Sequence, residues 1–166
     1  MRVVVWMLLV GSVLVTGCAG EPDPPESPFR PVADVGQLMR TIIDPAADVV
    51  WDSVGTIVTE EDGEIVIDSW QPESDEEWAA VVSGAMTLTE SANLLMMEGR
   101  ARDQDTWMQM AQGMVVAGML AVEAAESQNV DAIYEVSATV YNSCDSCHQL
   151  YWVGDADRGR VQQAGP

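Results

Sequence analysis

Residues 130–152 read VDAIYEVSATVYNSCDSCHQLYW. The apolar spacing is that of an amphipathic helix that ends before Gly154. Near its end come Cys144, Cys147 and His148. Residues three and four apart on a helix share a face, so the two thiols and the imidazole project together.

Three more helical stretches precede it. The first is expected over about 33–57, where Leu38, Met39, Ile42, Ile43, Val49, Val50 and Val54 form a helical stripe. Pro45 sits inside it and is expected to kink or split it. An acidic connector follows, TEEDGEIVIDSWQPESDEE, whose Asp62-Gly63 turn between short apolar runs suits a small hairpin. The second helix is expected from near Asp75, with acidic residues complementing its N-terminal dipole, and stops by Gly99. The third runs from around Asp105 through TWMQMAQGMVVAGMLAVEAAES. Four amphipathic helices with mostly short links predict an all-α fold, an antiparallel four-helix bundle over residues 33–153, followed by a loose polar tail at 154–166. The Met and Trp residues on these helices read first as core filler.

The bulk composition fits one globular domain, with 48% hydrophobic and 20% charged residues. Acidic residues number 27 against 7 basic ones, all Arg, for a net charge of -20. Such a surface repels phosphate backbones, so nucleic acid is excluded as a partner. It attracts partner proteins with a basic docking patch. Plain solubility, or adaptation to salt, explains the same charge and stays open.

Residues 1–17 have the proportions of an export signal: Arg2, then an apolar run too short to span a bilayer comfortably. The run closes on Val15-Thr16-Gly17-Cys18, which resembles the bacterial lipobox. That resemblance implies cleavage before Cys18, lipidation of its sulfur and a place on the periplasmic side of a bacterial membrane. Ala19 in the next position favours the outer membrane, again by resemblance. An ordinary secretory signal and a retained membrane anchor are the alternatives. Residues 18–32, dense in Pro and acidic side chains, read as a semi-rigid spacer.

Cys144-Asp145-Ser146-Cys147-His148 is the attachment pattern of a c-type haem. The thiols suit thioether bonds to the haem vinyls, and the imidazole suits one axial position on iron. A thiol-disulfide redox pair, a structural disulfide and a zinc site are the competing explanations. Zinc lacks ligands here, since the chain has one His and only Cys18 besides this pair. The single His also rules out bis-His ligation. In an up-down-up-down bundle the haem-end Met residues would be Met39, Met96, Met97, Met108 and Met110, with Met86, Met114 and Met119 further along.

A helical bundle with C-x-x-C-H near the end of its last helix resembles the class II cytochromes c, the cytochrome c′ group, over residues 33–152. The resemblance implies one covalent haem c held by Cys144, Cys147 and His148. Its low-spin members carry Met early in helix one, and Gln37-Leu38-Met39-Arg40-Thr41-Ile42 is similar to that pattern, which implies Met39 as the distal ligand. Two departures stand out. No basic residue follows His148, and Pro45 interrupts helix one. Arg100 and Arg102, with Arg40 nearby, are expected to meet haem propionates, or else to be solvated surface charge. Trp107 and Trp152 either shield a haem edge or pack a rim. The function expected is single-electron transfer to a redox partner, not enzymatic turnover. With Met39 off the iron, binding of NO or CO is the alternative, and a thiol-disulfide protein without haem is the third. The family often dimerises through its first two helices, so a homodimer is expected as an option.

Overall fold

The computed structural model describes residues 27–152. The leader, Cys18 and the tail from 154 lie outside the described residues.

Helical structure begins where Asp34 and Gln37 cap each other. The Asp34 carboxylate accepts from the Gln37 N–H at 2.7 Å, and the Gln37 side chain accepts from the Asp34 N–H at 3.0 Å. Two of the first turn's orphan donors are thereby satisfied. Helix α1 (Val35–Leu38) passes into a π segment (Met39–Ile43) and then into α2 (Asp44–Trp51). Pro45 gives the physical reason. It has no N–H for the Thr41 carbonyl, and its ring crowds that carbonyl. The chain takes a wider turn instead, and the Asp44 N–H reaches the Met39 carbonyl five residues back.

The helix expected to run to residue 57 ends at Trp51. From Gly55 the chain is a hairpin: β1 (Gly55–Glu61) pairs antiparallel with β2 (Glu64–Trp70). Asp62 and Gly63 both have positive φ, 53° and 85°, the geometry that a two-residue turn between twisted strands demands. At the base the Trp70 indole N–H donates to the Asp52 carbonyl at 2.9 Å. Its ring covers Gly55, where a Cβ would come within 2.0 Å of the indole. The chain is therefore mostly helical with a small two-stranded sheet, rather than all-α. The β-branched runs at 57–58 and 65–67 and the Asp-Gly turn outweigh the helical stripe in this segment.

Three long helices follow: α3 (Asp75–Leu95), α4 (Thr106–Glu126) and α5 (Val130–Tyr151). Ser74 and Glu77 form a capping box before α3, and the Asn129 side chain accepts from Ala132 N–H at 3.0 Å before α5. Packing joins α3 to α4, α4 to α5, and α2 to both α3 and α5. The ends meet in alternation. Trp107 near the start of α4 donates to Leu95 at the end of α3, and Gln128 after α4 donates to Asp75 at the start of α3. Leu38, Val50, Leu88, Ile133 and Val140 are fully buried between these helices. Among the described residues, α4 alone is long and apolar enough to cross a bilayer. Its apolar length has a use in the core, where it buries Trp107, Ala111, Met114, Ala117 and Ala121.

Close approach of α3 and α4 depends on Gly118, where a Cβ would lie 2.3 Å from Thr89 Oγ1 and 3.0 Å from the Thr89 backbone. Gly113, in the same helix, has nothing within 4 Å. The same substitution should therefore have opposite signs at the two sites. Gly118→Ala should destabilise the fold by about 1–3 kcal/mol through overpacking. Gly113→Ala should stabilise it by about 0.5–1 kcal/mol by restricting the unfolded chain. Urea denaturation of both variants checks this, and a neutral Gly118→Ala would contradict the packing.

Candidate functional site

Three helical faces enclose a cleft of about 220 Å³. From α5 come Tyr141, Cys144, Cys147 and His148, with Ser143 and Asp145. The first helix contributes Met39, Ile43, Ala47 and Trp51, with Asp44. From α4 come Trp107, Met110, Ala111 and Met114, and α3 adds Leu95. The α4 set repeats at three and four residues, one face of a regular helix. The first-helix set repeats at four throughout. In a regular α-helix each such step drifts by about 40°. The π segment absorbs part of that drift in its wider turn, keeping Met39 and Trp51 on one wall. Ala47 and Ala111 leave room where larger side chains would close the cleft.

Cys144, Cys147 and His148 are all half-buried at this cleft. Burial is the main influence on both thiols, and it pushes each above the ordinary thiol range. The nearby Asp44 charge adds to the rise at Cys144, while a hydrogen bond with Ser143 opposes it. Burial of this kind disfavours the thiolate form of both sulfurs. The His148 ring meets the Trp152 ring edge-on, with centroids 4.7 Å apart.

The last turn of α5 is tied down by a residue 48 positions earlier. The Tyr151 hydroxyl donates to Asp103 Oδ2 at 2.5 Å. Asp103 Oδ1 accepts from the backbone N–H groups of Asp105 and Trp107, each at 2.9 Å, and so caps α4. The Tyr151 and Trp107 rings stand edge-to-face at 5.0 Å, and the Trp107 indole donates to the Leu95 carbonyl at 2.8 Å. One carboxylate therefore joins the start of α4 to the end of α5, directly beside the cleft.

The other residues singled out in the sequence divide. Met39 lines the cleft and is half-buried, and Met110 lines it too. Met114, expected further along, also reaches it. Met96, Met97 and Met108 do not line it. Met97 sulfur instead accepts from Arg100 Nη1 at 3.3 Å. Met86 and Met119 are exposed elsewhere. Arg100 is buried, with Nε donating to the Ala33 carbonyl at 3.0 Å and Nη1 to the Leu94 carbonyl at 3.2 Å. It satisfies an orphan carbonyl at the end of α3 and lines no part of the cleft. Arg102 and Arg40 are exposed and also outside the lining. Trp107 forms part of the wall, whereas Trp152 is exposed beside His148. Trp51, Tyr141 and the Asp103–Tyr151 pair were missed in the sequence, and of these Tyr141 and the pair carry no signal there. The four-residue recurrence of Met39, Ile43, Ala47 and Trp51 is the one local hint of a cleft wall. Among the described residues no group of three or more His, Cys, Asp or Glu side chains is placed to hold a metal ion.

No protein-family model, curated protein or solved structure matches the chain.

The Asp103 carboxylate pushes the Tyr151 hydroxyl up to about 12, first through their hydrogen bond and then with burial and charge repulsion. A raised tyrosine contributes stability that is whole below its unfolded value of about 10 and is lost as pH climbs through the folded value. Absorbance titration of the chain should therefore contain a tyrosinate component near 12. It should vanish in Tyr151→Phe and move down in Asp103→Ala. A titration with no component above the ordinary range would contradict the clamp.

Proposed function

We propose that this chain is a class II cytochrome c-like electron carrier: an antiparallel four-helix bundle holding one covalent haem c in the cleft. Cys144 and Cys147 would hold the haem through thioether bonds, His148 would ligate its iron, and Met39 would be the opposite ligand. One observation carries the reading. Two thiols, the chain's one imidazole and the thioethers of Met39, Met110 and Met114 all open on the same cleft, whose facing walls are apolar apart from Asp44.

The lining fits the group. Ile43, Ala47, Leu95, Ala111 and Met114 offer a porphyrin face apolar contacts, with Asp44, Ser143 and Asp145 as the polar groups of the lining. A lone imidazole cannot bind a bare metal ion tightly, but it suffices for iron that brings four ring nitrogens of its own.

Bound there, the haem supplies an iron that cycles between ferric and ferrous states. The chain's own residues do the rest. His148 and Met39 would be the iron's two protein ligands, which would leave little to rearrange on electron exchange and no site for a substrate. The apolar walls exclude water and set the local dielectric, one lever on the potential. The Asp103–Tyr151 clamp holds the helical turn that bears His148. Of the three Arg residues expected to meet propionates, Arg40 and Arg102 are exposed and would be free to do so, while Arg100 fixes the link between α3 and α4. The leader's resemblance to a lipobox supports a place on the periplasmic face of a bacterial membrane, where lipid on Cys18 would tether the carrier and residues 18–32 would space it from the surface. Its acidic surface suits a basic redox partner.

Spectra of the reduced, haem-loaded protein with and without CO test this. The unsubstituted protein should be low-spin and indifferent to CO. Met39→Ala should turn high-spin and take up CO at once, while Met110→Ala and Met114→Ala should stay low-spin. Loss of the low-spin spectrum in either of the last two would move the ligand to that residue. Rapid CO uptake by the unsubstituted protein would replace electron transfer with gas binding.

A further inference from the structure

The hairpin that follows α2 has no place in the cleft. Every residue of β1 and β2 except Gly55 is exposed. Ile65 and Ile67 expose 73% and 66% of their surface, and Val58 62%. Neither face of the hairpin is covered by the helices, and β1 and β2 pair only with each other. A two-stranded sheet with both faces in water is marginal by itself. Exposed β-branched side chains along an unprotected edge are normally avoided, because the edge templates pairing with another strand. This edge carries no Lys, no Pro and no bulge within β2.

The register shows which groups the edge offers. A two-residue turn makes Glu61 and Glu64 the hydrogen-bonded closing pair, and bonded and non-bonded pairs then alternate. Ile65, Ile67 and Ser69 consequently turn their N–H and C=O groups away from β1. Their side chains share one face with Val58.

Charge decides what can pair there. Residues 55–70 carry Glu60, Glu61, Asp62, Glu64 and Asp68 and no basic residue, within a chain of net charge -20. A second copy would set these carboxylates against their own kind, and an anionic lipid surface would be repelled. We propose that the outer edge of β2 is a docking site for an extended, basic strand of a partner protein. The partner strand adds to the sheet by backbone pairing, places apolar side chains beside Ile65 and Ile67, and sets Lys or Arg opposite the carboxylates. The hairpin base is bonded to the turn after Trp51, so a docked partner is anchored to the wall of the cleft. This site does not depend on what fills the cleft.

The probe is a synthetic, end-blocked peptide of alternating Val and Lys, matched in length to β2. Its control has the same charge with proline at the centre, which cannot complete a strand. Anisotropy titrations against the full chain should show the alternating peptide binding roughly tenfold or more tightly, with affinity falling as salt rises. Amide exchange at Ile65, Ile67 and Ser69 should slow on binding. Glu64→Lys/Asp68→Lys, which leaves the ladder intact, should abolish the preference. Ile67→Pro, which removes one outward N–H and no β1 bond, should do so too. Equal binding of the two peptides would overturn the proposal. So would a concentration-dependent dimer dispersed by Ile67→Lys, which would make a second copy the occupant.

Discussion

An α-helix returns to the same side after three and four residues, and that constraint makes Cys144, Cys147 and His148 neighbours on α5. The first helix and α4, with Leu95 of α3, face that turn across a cleft. Helix α4 supplies a wall at regular spacing, and the first helix supplies the opposite one. Pro45 matters here beyond its local effect. By denying the helix one hydrogen bond it forces the π segment, which aligns Met39 with Ala47 and Trp51 along one wall.

The closed end of the cleft rests on side chains that satisfy helix termini. Arg100 and the Trp107 indole take the Leu94 and Leu95 carbonyls at the end of α3. Asp103 takes N–H groups at the start of α4 and the Tyr151 hydroxyl from α5. These bonds meet the demand that buried polar groups be paired, and among the described residues no buried side-chain nitrogen or oxygen lacks a partner. They also immobilise the turn that carries His148. A turn at a helix end would otherwise fray.

How much of this was legible follows from whether a signal was local. The acidic run at Asp75, the apolar spacing of the third and fourth helices and the Asp62-Gly63 pair are local signals, and α3, α4, α5 and the hairpin lie close to where they put them. The first helix was read too long, because Val54 continues its stripe and is in fact buried in the turn after Trp51. The motif on α5 was legible because its geometry is set by one helical turn. Bundle topology put Met39 among five Met residues at that end, and only a family resemblance singled it out. Met114 was placed too far along, since a sequence shows which end of a bundle a residue occupies but not how deep a cleft cuts. Arg100 looked like a surface charge for a carboxylate, whereas backbone carbonyls 67 and 6 residues away engage it. The Tyr151–Asp103 bond spans 48 residues and has no local signature at all.

The central claim is a covalent one. The chain should be produced in a bacterial host that exports and matures c-type cytochromes, then denatured and extracted with acidified organic solvent. The account predicts that the colour stays with the polypeptide, that mass analysis finds one haem on the peptide containing Cys144 and Cys147, and that Cys144→Ser/Cys147→Ser loses it. A colourless chain, or haem that washes off into the solvent, would contradict the account.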